Sequence, residues 1–328
     1  MPDIFEKTLH IDPEYQHLEK YVQIAYKGFW TPAKYEQDIN EIDVVEFNNK
    51  LTDMERETVR RCIMAVSLVE DKVKTFWSTI ALDFPQTIIG DVGGLLGQQE
   101  VTHRRSYHSL AEGLKVNLEN LDTFTALKGR INYLAKYLEK DPKIIGKKRT
   151  LKKLILFTAL VEKCSLFTQF YILMSFSRQK NVLGAIAKLQ RSTAIEEDTH
   201  YLFGLDLVNI IKKQHPELWS EYLIETINES LLTAYNAELN LIDWIFENGV
   251  PDHLTKEEII NILNYNFQTV SNNFELNLSF NYNSKLYAEK NQWFVEATKS
   301  PVNPDFFAGN VGGYSSQKKE IKPSKINF

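Results

Sequence analysis

Cysteine is almost missing from this chain: Cys62 and Cys164 are the two in 328 residues. Both fall inside apolar helical runs, where a cysteine packs as a small hydrophobe. No disulfide framework is available, and the chain suits a reducing compartment. An excess of positive charge is missing too. Lys and Arg number 38 against 43 Asp and Glu, a net charge of −5, so composition offers no basic field for a nucleic-acid partner. Long apolar runs are short: residues 154–161 fall well below the roughly 20 residues that span a bilayer. The first residues, Met1 to Lys7, lack the apolar core of a signal peptide. Strand-type alternation is lacking as well. These absences predict an all-α, cytoplasmic protein with neither nucleic acid nor membrane as partner.

What is present is helical patterning over an ordinary core-forming composition, 43% hydrophobic and 25% charged. The length allows about two domains, although an elongated bundle can hold the chain in one. Residues 1–50 read as an arm with a helix over 13–29 that ends at Trp30-Thr31-Pro32, followed by a polar connection. Residues 51–300 read as a helical domain. Thr52-Asp53-Met54-Glu55 has the capping-box pattern and opens an apolar stripe that carries Glu70. Pro85 and four glycines loosen the next segment, so helix is expected to resume near Leu95 and reach Ala111. Further helices are predicted over 123–140, 146–179, 181–213, from Pro216 to the Asn248-Gly249 stop signal, and over 255–281. Residues 301–328 are glycine-rich, then basic, and read as a flexible tail.

Within this pattern one stretch stands apart. Glu100 and His103 are three residues apart, so a helix projects both from one face, and Tyr107 continues that face a turn later. Glu197 and His200 repeat the spacing. Each pair follows an isolated carboxylate in an apolar run: Glu70 stands 30 residues before Glu100, and Glu162 stands 35 before Glu197. This is the ligand order by which a four-helix bundle holds two metal ions. Four carboxylates in a low-dielectric core repel one another unless cations neutralise them. Oxygen and nitrogen donors without thiolate suit iron or manganese better than structural zinc. Glu14-Tyr15-Gln16-His17 matches the same short pattern but has no companion carboxylate on a buried helix, and reads as coincidence.

With these residues in place, the chain resembles the radical-generating small subunit of class I ribonucleotide reductase over nearly its whole length. The resemblance implies a ferritin-like helical bundle, with Glu70, Glu100, His103, Glu162, Glu197 and His200 as the ligands of two metal ions per chain. Tyr107 falls on the radical tyrosine, Trp30 on a relay tryptophan, and Tyr314 on the tyrosine that passes the radical between subunits. Glu196 falls where a carboxylate hydrogen-bonds the first ligand histidine and links it to Trp30. The resemblance further implies a separate large subunit as partner, a homodimer, a C-terminal docking tail, and an accessory flavoprotein activase in some members. Glu70 replaces the aspartate of many members, Leu166 and Thr193 stand where bulkier apolar residues often wall the tyrosine, and Lys74 lies one turn after Glu70. These departures point toward the dimanganese subclass and toward storage of the oxidising hole on the metals rather than on Tyr107. Two rival readings remain at this point: another ferritin-like oxidase that works without a partner, and an iron-storage or purely structural bundle.

Overall fold

The structure, a computed structural model, describes residues 2–302 except residue 74, and no side chain over 71–74. Lys74, Tyr314 and most of the 301–328 segment therefore lie outside the described residues. Among the described residues the secondary structure is helical, with one isolated bridge between Asp141 and Ile144. In chain order the α-helices are α1 (Glu19–Gly28), α2 (Ala33–Asp38), α3 (Val44–Lys50), α4 (Asp53–Val73), α5 (Thr87–Gly113), α6 (Thr125–Leu134), α7 (Lys147–Leu156), α8 (Phe167–Lys180), α9 (Gly184–Gln214), α10 (Glu221–Ile245), α11 (Lys256–Asn273), α12 (Ser284–Leu286) and α13 (Gln292–Thr298).

The core is the four-way packing of α4, α5, α8 with the segment before it, and α9. The capping box forms at the start of α4. Thr52 N–H donates to Glu55 Oε2 at 2.9 Å, and Glu55 N–H donates to Thr52 Oγ1 at 3.3 Å. Thr255 and Glu258 cap α11 in the same way. Cys62 and Cys164 are both buried and free.

Several boundaries differ from the sequence expectation. The supposed polar connection after Pro32 is helical through α2, a π-helical turn (Ile39–Asp43) and α3. Most of its residues are polar, but Tyr35, Ile39 and Phe47 are buried beneath them, while Ile42 and Val45 remain exposed. Asp43 and Glu46 of this unit also cap α9 in trans: Asp43 Oδ2 accepts from Ile186 N at 2.6 Å and Glu46 Oε2 from Leu183 N at 2.8 Å. That cap is needed because Leu183, with φ 58°, supplies no side-chain cap of its own.

Helix α5 begins at Thr87, not near Leu95. Gly93 and Gly97 are packing devices rather than breakers. A Cβ at Gly93 would lie 2.6 Å from the Trp77 carbonyl oxygen and 2.2 Å from Ile80 Cγ2. Only a bare backbone lets the 3-10 segment Trp77–Leu82 lie this close across α5.

The expected single helix over 146–179 is three pieces. Between α7 and α8 the backbone takes a π-helical course over Phe157–Cys164, which carries Glu162 and is buried at every residue. Such π segments are rare and concentrate at functional sites. The whole run Lys147–Lys180, 34 residues, is long and apolar enough to cross a membrane by composition, a longer apolar element than residues 154–161 suggest. Its most apolar window is 100% buried inside the protein, so it serves as the core helix.

Candidate metal centre

Helices α4, α5 and α9 and the π segment bring the six predicted side chains to one place. Glu70, Glu100, His103 and Glu197 form one group, and Glu100, Glu162, Glu197 and His200 a second; in each, the donor atoms lie within 4.8 Å of one another. Glu100 and Glu197 belong to both groups. All six side chains are buried to 1% exposure or less. His17, by contrast, sits in an exposed contact with the Glu14 carbonyl, away from the cluster.

The donor atoms converge without satisfying one another. Both oxygens of Glu70 and Glu100, Glu162 Oε2, and the Nδ1 atoms of His103 and His200 have no hydrogen-bond partner. Buried polar atoms are normally paired, and an unpaired one costs about 1–3 kcal/mol. Seven in one cavity point to cations as their common partners. His103 Nδ1 approaches Glu197 Oε1 to 3.0 Å and His200 Nδ1 approaches Glu100 Oε1 to 3.2 Å, so both imidazoles present Nδ1 to the cavity. The residues fit a dinuclear metal site.

Electrostatics agree. Burial, with the field of neighbouring carboxylates, raises Glu70, Glu100 and Glu162 above the ordinary carboxylate range. Glu197 is held low: burial opposes its charge, but the close approach of Glu162, His103 and His200 outweighs it. Burial disfavours charge on the histidines, yet the surrounding carboxylates raise both.

The opposite ring nitrogens are tied down. His103 Nε2 donates to Glu196 Oε2 at 2.7 Å, and Trp30 Nε1 donates to the same oxygen at 2.9 Å. Trp30 also stacks on His103 with ring centroids 6.0 Å apart. His200 Nε2 donates to Gln99 Oε1 at 3.0 Å, while Gln99 Nε2 donates to Glu196 Oε1 at 2.9 Å. One glutamine thus joins the outer faces of both histidines. Such outer partners orient ligands and tune them.

Sequence reasoning did not single out Gln99, although it directly precedes Glu100. It also missed Trp77, whose Nε1 donates to Glu162 Oε1 at 2.7 Å, and read it only as part of the apolar stripe. Tyr107 is fully buried, and its hydroxyl donates to Gln190 Oε1 at 2.8 Å. Its acceptor is thus an amide oxygen and not a carboxylate of the cluster. Burial first, then the field of Glu70, holds its phenol far above the ordinary tyrosine range. Thr193 and Leu166 are both buried.

The fold and this site define a ferritin-like helical bundle built around two metal positions. The family model described as ribonucleotide reductase, small chain, matches residues 10–291, and the chain belongs to that family. It is 30% identical over 89 residues to the ribonucleoside-diphosphate reductase subunit beta of Chlamydia pneumoniae, a match covering 27% of this chain and 25% of that relative. The match therefore spans about a quarter of the relative's length. Among solved structures, the ribonucleotide reductase R2 subunit of Clostridium botulinum superposes with a TM-score of 0.72 at 16% identity, covering 90% of this chain and 100% of that one. The dimanganese(II) NrdF protein of Streptococcus sanguinis gives the same score, identity and coverage.

Proposed function

We propose that this protein is the radical-generating small subunit of a class I ribonucleotide reductase, passing a one-electron oxidant to a large subunit that reduces ribonucleotides to deoxyribonucleotides. One observation carries the reading. Six converging donor residues are joined through Glu196 to a buried indole at Trp30, so the same cluster that fits two ions has a built connection outward. Storage and purely structural bundles have no use for that connection.

Glu70, Glu100, His103, Glu162, Glu197 and His200 would hold the ions, Glu100 and Glu197 being common to both donor groups. Two redox-active ions, when bound, supply and store the one-electron oxidant. Glu196 fixes His103 and Trp30 on one oxygen, so the Trp30 indole proton has an acceptor when the ring gives up an electron. Tyr314, outside the described residues, is the proposed next carrier toward the large subunit. Thr193 and Leu166 stand where bulkier apolar residues often wall the tyrosine, and we assign the stored hole to the metals rather than to Tyr107. Manganese is preferred over iron because a glutamate, Glu70, supplies the first ligand. The protein works in the cytoplasm, as a homodimer, with 1–50 as an arm, 51–300 as the metal domain and 301–328 as the docking tail.

The test is reconstitution. Protein loaded with manganese or iron and mixed with a class I large subunit should form deoxynucleotides, and Trp30→Phe should abolish this while binding metal normally. Fully loaded protein that oxidises a substrate alone, with no gain from the large subunit, would favour a ferritin-like oxidase instead.

A further inference from the structure

Directly beside the ligands lies a buried polar contact that the proposed chemistry does not use. Lys163 follows Glu162 in sequence, and Asp198 follows Glu197. Lys163 Nζ pairs with Asp198 Oδ1 at 2.7 Å, with Lys163 8% and Asp198 6% exposed. This contact joins the π segment to α9 one residue away from two ligand carboxylates.

The second oxygen of Asp198 is also engaged. Asp198 Oδ2 accepts the backbone N–H of Ser300 at 2.9 Å. Ser300 Oγ lies 2.7 Å from Thr199 Oγ1, whose own hydroxyl donates to the Ile195 carbonyl. Ser300 is therefore the donor to Thr199, and it is fully buried. Asp198 and Thr199 are the two residues between Glu197 and His200. The chain leaving α13 is thus clasped, by backbone and side chain, to the turn of α9 that presents two ligands.

We infer that Lys163, Asp198 and Ser300 are positioning residues that couple occupancy of the metal centre to the start of the C-terminal segment. The physical ground is adjacency in a close-packed interior. Glu162 and Glu197 would reorient to hold ions, and each is joined directly through the backbone to Lys163 or Asp198. A π-helical stretch accommodates such adjustment more readily than a regular helix. The clasp transmits it to residues 298–302. By reciprocity, anything that displaces Ser300 changes metal affinity. The inference rests on the dinuclear-metal reading.

Amide hydrogen exchange of the full chain tests it, using manganese(II) alone as the probe. Loading the wild-type protein should slow exchange in the peptide spanning 292–302 by about tenfold, a usual size for coupling between two sites. Asp198→Ala should bind manganese yet lose that difference. Ser300→Ala, which keeps the N–H and leaves the core intact, should reduce it, and should weaken manganese binding although it touches no ligand. Equal protection in all three proteins, or bound manganese with no protection in the wild type, overturns the clasp while leaving the centre standing. A wild-type protein that binds no manganese or iron overturns both.

Discussion

Trp77 donates its indole N–H to Glu162 Oε1 at 2.7 Å, holding a carboxylate 85 residues away in the chain. The same ring meets Phe157 edge-on at 5.6 Å and lies 6.1 Å from His200. Trp77 is therefore both wall and orienting donor for the second ion position. Trp77→Phe keeps most of the wall and deletes the donor. Metal affinity is expected to fall about 10- to 100-fold, the usual cost of losing an outer partner, with the helical content unchanged. Competition titration against a chelator dye measures it, and unaltered affinity would remove Trp77 from the site.

Metal uptake should be pH-dependent. Glu70, Glu100, Glu162, His103 and His200 all have raised proton affinity in the metal-free protein. Ions must displace those protons, so affinity rises with pH and falls as the medium becomes more acidic. Calorimetry in buffers of different ionisation enthalpy should register net proton release. His200→Ala should lose two-ion stoichiometry by metal analysis. Full occupancy in that variant is the result that sinks the ligand assignment.

Tyr107→Phe is expected to retain most turnover with the large subunit. Its hydroxyl contacts Gln190 rather than a ligand, so the substitution leaves the donor set untouched. Resonance spectra of the active protein should show a coupled metal signal, not a tyrosyl one. An inactive Tyr107→Phe protein with normal metal loading would return the radical to Tyr107.

Gly93→Ala should destabilise the fold by about 1–3 kcal/mol, the ordinary cost of overpacking. The added methyl would meet the Trp77 carbonyl oxygen at 2.6 Å, backbone that cannot swing aside. Because Trp77 holds Glu162, metal affinity should fall along with the melting temperature. Gly94→Ala, with nothing within 4 Å of the new Cβ, is the control and should be neutral or stabilising.

Asp43 caps α9 from a buried position that pushes its carboxyl up to about 6 from 3.8, burial being the main cause. A raised carboxyl pKa means that the folded state binds the proton more tightly than the unfolded chain does. Its contribution is therefore most favourable at low pH and is lost as pH rises through about 6. Relative to Asp43→Asn, the wild type should lose about 1 kcal/mol between about pH 5 and pH 7. Urea melts of both proteins across that window check the sign, and a constant difference would show that Asp43 titrates normally.

The all-α class, the helical character of the segments that carry Glu70, Glu100, Glu162 and Glu197, and the six residues that converge were legible in the linear chain. Helical periodicity places Glu100 with His103 and Glu197 with His200 through local geometry alone, and apolar flanks make Glu70 and Glu162 conspicuous. The capping box at Thr52 and Glu55 is equally local. Helix α5 was misjudged because glycine reads as a breaker, whereas its value at Gly93 lies in a close approach by a segment that sequence cannot place. Helices α2 and α3 were hidden because polar residues outnumber the buried Tyr35, Ile39 and Phe47 in that stretch. The π course over Phe157–Cys164 leaves no periodicity of its own.

What the sequence determined by itself is whatever depends on contacts within a few residues: helix positions, caps, and which side chains share a face. That Glu100 and Glu197 fall in both donor groups, that Gln99 links His200 to Glu196, that Trp77 donates to Glu162, and that Ser300 closes on Asp198 were decided only by the tertiary structure. Each of these joins residues on different helices, and packing distance between helices is set by the sum of many side chains rather than by any local pattern.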